Sequence, residues 1–85
     1  MRPGRPGTLR AAVVEGLAAH GIASGPQDTP ATLRELLNEA YLEDVRRLRE
    51  RQRSGEIPLA GYAAQVEALQ RRYPLLGLPL SLWTE

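Results

Sequence analysis

The segment from Thr29 to Ser54 most constrains the fold, because it permits little except one long amphipathic helix. Thr29 precedes Pro30, which suits a first helical turn, where the missing N–H would have no partner anyway. Thr32-Leu33-Arg34-Glu35 offers a second start with capping-box spacing. Leu33, Leu36, Leu37, Ala40, Tyr41, Val45 and Leu48 then trace one apolar face at three-to-four spacing. Ser54-Gly55 closes the segment, since Gly takes the left-handed conformation of a helix end without steric cost. A helix over about 30–53 follows.

The flanking segments obey the same periodicity. Thr8 is a candidate N-cap for a helix over about 8–20, in which Leu9, Val13, Gly16 or Leu17, and His20 share a face. Gly21 is placed for a left-handed end, so Ile22 is expected to pack back on Leu17 or Ala18. A third helix over about 58–73 starts near Pro58 and carries Leu59, Tyr62, Val66, Leu69 and Tyr73 at alternating spacings of three and four. The short link Ser54–Ile57 makes the second and third helices an antiparallel hairpin. The expected fold is all-α, with a helical domain over 8–73. Residues 1–7, rich in Pro and Gly, form a flexible arm.

Residues 74–85 read differently. Gly77 and Pro79 exclude a stable α-helix, and Tyr73 and Leu78 each precede a proline, which biases them to extended geometry. An extended apolar tail is expected, with Leu76, Leu78, Leu80 and Leu82 in one row while Leu75 and Trp83 project otherwise. Burying these six side chains is worth about 10 kcal/mol before the cost of ordering the segment. Two destinations stay open: the groove between the chain's own helices, or a partner or second copy. Trp83 is the natural anchor in both.

A chain of 85 residues buries only about 60% of the surface its unfolded form exposes, and with no Cys it has no disulfide to add. The net charge of +1 predicts neither nucleic-acid nor membrane attraction, and no apolar stretch is long enough to span a bilayer. A cytoplasmic protein is expected. All 11 cationic residues are Arg, and the candidate cluster is a stripe of Arg46, Arg49 and Arg53 flanked by Arg47 and Arg51. Pairing with Glu43 and Glu50 and with the helix dipole accounts for such a stripe, and contact with phosphates is the sharper alternative. Arg2 and Arg5 belong to that alternative, because Gly4-Arg5-Pro6 has the core sequence of AT-hook arms that enter the minor groove.

The stretch Arg46–Gln70 resembles the short helical hairpins called SHOCT domains. The likeness rests on Ser54-Gly55-Glu56-Ile57, on Tyr62 five residues after Ile57, and on Leu69 seven after that. It departs at Pro58, where the family pattern places Ser or Thr. The resemblance implies oligomerisation or docking and no chemistry.

Catalysis finds no purchase in the sequence. His20 is the one imidazole, with no Ser or Asp fixed beside it by spacing, and the row Glu35, Glu39, Glu43 reads as a solvated face. No catalytic, metal or cofactor residue and no small-molecule substrate is expected. The leading expectation is a non-enzymatic helical interaction module, an accessory subunit or adaptor that docks on protein through its hairpin and through Leu76, Leu78, Leu80, Leu82 and Trp83. The alternatives are a small nucleic-acid-binding protein using Arg2, Arg5, Arg46, Arg49 and Arg53, and a module that self-associates through its hairpin seam.

Overall fold

A computed structural model describes residues 8–25 and 27–85. Helix α2, Pro30–Arg53, is the spine, and its 24 residues span about 36 Å at the usual rise per residue. Thr29 caps it, accepting the Thr32 amide at 3.1 Å, so the second possible start at Thr32 is not used. Helices α1, Ala11–Ala18, and α3, Leu59–Arg71, are shorter than the periodicity predicts. Arg10 stands at the N-cap of α1 without a side-chain cap bond, in place of Thr8. The α1 terminus closes as expected: Gly21 has φ 74°, and the Ile22 amide reaches the Leu17 carbonyl at 3.0 Å.

The hairpin is antiparallel, as the order of contacts along it shows. The Ile57 amide meets the Arg51 carbonyl, the Tyr73 hydroxyl meets Asp44, and Arg34 meets the Leu76 carbonyl. The chain thus runs forward from 57 to 76 while its partners on α2 run back from 51 to 34. Helix α3 covers the second half of the spine. The first half is covered by α1 and the C-terminal tail, giving an elongated body of 56 × 19 × 17 Å.

The tail is the main departure from the sequence reading. It is not an extended ribbon but two short 3-10 turns, Pro74–Gly77 and Leu80–Leu82. Pro74 and Pro79 exclude an α-helix, yet one 3-10 turn needs only i to i+3 bonds, and a proline at its start has no amide to lose. The extended bias survives at the joint alone: Leu78, before Pro79, holds φ −98° and ψ 124°. The turns also break the predicted leucine row. Leu75 and Trp83, expected to project away from it, are buried, while Leu76, Leu78 and Leu80 are half-buried and Leu82 is exposed.

One apolar cluster joins every element: Val13 and Leu17 of α1, Leu33, Leu37 and Leu48 of α2, then Ile57, Leu69, Tyr73, Leu75 and Trp83. Two seam positions differ from expectation. Leu36 of α2 and Leu59 of α3 are exposed, and Ile57, in the loop before α3, fills the place predicted for Leu59. Gly16 lets the first 3-10 turn approach α1, since a Cβ there would lie 2.8 Å from a methyl of Leu75. The arm predicted over residues 1–7 lies outside the described residues.

Candidate functional site

Trp83 is fully buried in the chain's own core. Its indole N–H donates to the Leu78 carbonyl at 3.1 Å, closing the tail on itself. The backbone around it is tied to the start of α1. The Arg10 amide meets the Trp83 carbonyl at 3.0 Å, the Glu85 amide meets the Thr8 carbonyl at 2.9 Å, and Leu9 forms a bridge with Thr84. Of the five tail residues expected to meet a partner, only Leu82 is exposed, at 44%.

The basic stripe is brought together only in part. Arg46, Arg49 and Arg53 are all exposed on α2, and Arg46 is engaged by Glu43 at 3.0 Å. Arg49 and Arg53 have no ion pair among the described residues, and Arg2 and Arg5 lie outside them. A second basic cluster forms across the hairpin, where Arg47, Arg51 and Arg72 rim a groove floored by Leu48, Ala68 and Leu69. Two of these three are occupied, Arg47 by Asp44 at 3.4 Å and Arg51 by Glu56.

Sequence spacing missed the polar cluster at the junction of the three helices. His20 stacks on Tyr73 with ring centroids 3.9 Å apart, and its Nε2 donates to the Arg72 carbonyl at 2.7 Å. The ring therefore serves the end of α3 rather than its own helix. The Tyr73 hydroxyl donates to Asp44 Oδ2 at 2.5 Å, and Tyr41 packs edge-on against the same ring. Partners 29 and 53 positions apart in the chain, Asp44 and His20 about Tyr73, leave no signal in local periodicity. Phenol, imidazole Nε2 and carboxylate are all engaged, by one another, by backbone or by Arg47, so the cluster acts as a clasp. Among the described residues no group of three or more His, Cys, Asp or Glu is placed to hold a metal, and no helix is long and apolar enough to cross a membrane.

Burial first, then the bond to Asp44 and its charge, push the Tyr73 phenol up from 10.0 to about 12, against the opposing pull of Arg72 and Arg47. The folded chain thus holds this proton more tightly than the unfolded one. The clasp's contribution to stability is complete below pH 10.0 and fades as pH climbs towards about 12. Tyr73→Phe should cost about 1 kcal/mol near neutral pH and remove this component of the alkaline loss. Urea midpoints of both proteins across that range check it, and parallel curves would refute it.

What the clasp and the tail leave uncovered is the outer face of α3. Ala60, Ala63 and Ala64 are exposed along it, and Leu59 at its start is 71% exposed, against 39–44% for Val14, Leu36, Leu42 and Leu82. This patch lies at the hairpin tip, the end of the body away from Trp83. Comparison with protein-family models, with curated proteins and with solved structures finds no match to the chain.

Proposed function

We propose that the chain is a small helical protein-interaction module whose docking face is the hairpin tip, with the tail serving as internal structure. The observation that carries this reading is Leu59. A chain that folds its one Trp and most of its tail leucines inward nevertheless leaves a leucine 71% exposed at the start of an alanine-faced helix. An apolar side chain beside small residues suits a partner helix, because alanines allow close axial approach and leucine supplies a knob. The same position serves an accessory subunit or adaptor. A nucleic-acid role has less support, since Arg46 of the stripe is held by Glu43 and the net charge of the chain is only +1.

Leu59→Asp tests the reading without threatening the fold, because exposed substitutions usually change stability by no more than about 0.5 kcal/mol. Affinity purification of the full chain from its own cells is compared between wild type, Leu59→Asp and Leu82→Asp. A stoichiometric partner lost with Leu59→Asp and kept with Leu82→Asp is the expected result. A partner lost only with Leu82→Asp returns docking to the tail, and one indifferent to both removes the tip from the interface.

A further inference from the structure

The outer face of α2 carries a seam that the monomer does not explain. Glu35, Glu39, Leu42, Arg46, Arg49 and Arg53 follow at spacings of four, three, four, three and four, so they line one stripe of the helix, and all six are exposed. Along this stripe the charge is segregated, acidic in the first half and basic in the second. Within one helix that order is unfavourable: Glu35 with Glu39 and Arg49 with Arg53 are like charges at i,i+4, which repel. The helix dipole favours Arg53 in the last turn and Glu43 holds Arg46, but neither reaches Glu35, Glu39 or Arg49. The dipole falls off within the terminal turns, and no ion pair engages these three among the described residues.

The same order becomes complementary when a second copy lies antiparallel against it. About a two-fold axis at Asp44, Glu35 faces Arg53 of the partner subunit, Glu39 faces Arg49 of the partner subunit, and Leu42 packs on the stem of Arg46 of the partner subunit. Two-fold symmetry repeats each contact, giving four opposite-charge pairs along the seam. A parallel arrangement would set Glu on Glu and Arg on Arg, so charge alone decides the orientation. We propose that α2 mediates an antiparallel homodimer through this seam. The face is distinct from the α3 tip and leaves Leu59 free, so the pairing stands or falls independently of the partner docking proposed there.

Exposed pairs are weak singly, and four of them together are worth about a tenfold change in dissociation constant. The dimer is therefore weak and sensitive to salt. Sedimentation of the full chain over a dilution series is run at about 0.01 M salt, where charges act over about 30 Å, and at about 1 M, where they act over about 3 Å. Association is expected in the first condition and should loosen about tenfold in the second. The decisive arm uses two charge-swapped chains, Glu35→Arg with Glu39→Arg, and Arg49→Glu with Arg53→Glu. Each should be folded by circular dichroism and monomeric alone, and the two should form a 1:1 complex when mixed. A wild type that stays monomeric at every concentration in low salt overturns the proposal, as does a dimer that either swap leaves unchanged.

Discussion

A chain cut after Tyr73 is expected to lose its cooperative unfolding transition altogether. The cut removes Leu75 and Trp83, both buried, and the half-buried Leu76, Leu78 and Leu80. Each fully buried side chain is worth about 1.5–3 kcal/mol. It also deletes the backbone partners of α1, since the Arg10 amide and the Thr8 carbonyl are bonded to Trp83 and Glu85. Helix α1 has only 8 residues and cannot persist alone, because isolated helices shorter than about 12 residues are marginal in water. A domain of this size has about 5–10 kcal/mol of stability to lose, and the summed losses reach that range. Thermal melts followed by circular dichroism decide the matter. A sharp melt in the truncated chain would mean the tail is dispensable to the fold, and a docking role for it would regain its force.

Trp83→Ala isolates the anchor of that tail and is expected to cost about 3–5 kcal/mol. The indole is the largest fully buried side chain and lies in the apolar cluster that joins the elements, so its removal opens a cavity in the core. Its loss also leaves the Leu78 carbonyl without its donor. Trp83→Phe separates the two contributions. It keeps much of the apolar volume, and should recover more than half of the stability while still lacking the bond, which is worth about 1 kcal/mol. Urea denaturation of the three proteins with a common slope gives these differences directly. Equal midpoints for wild type and Trp83→Ala would contradict the burial on which the fold rests.

Exposure, not apolar content, singles out the tip. The tail carries five leucines and Trp83 and the tip only Leu59 beside three alanines, so the sequence points to the tail, because six large apolar residues in a dozen need burial. The structure meets that need internally and leaves exposed Leu59, which periodicity assigns to the seam. The reason lies in the hairpin turn. Gly55 at φ 84° and the Ile57 amide on the Arg51 carbonyl turn the chain back at Ile57, two residues before Leu59, so Ile57 is buried and Leu59 is exposed.

What the sequence by itself determined is the helical frame. The course and end of α2, the left-handed Gly21 and Gly55 and the antiparallel hairpin all follow from local chemistry: glycine at positive φ, a three-to-four repeat and a short link. Of the two starts open to α2, the structure uses the Thr29 cap. What only the tertiary structure decided is which apolar groups the frame consumes. Leu75 and Trp83 are buried in place of a leucine row because two proline-started 3-10 turns rotate successive side chains by about a third of a turn, where an extended strand would alternate them. The clasp of His20, Tyr73 and Asp44 is non-local in the same way. No local rule reaches across the 29 and 53 residues that its contacts span, and only packing α1 and α3 on one spine brings them together.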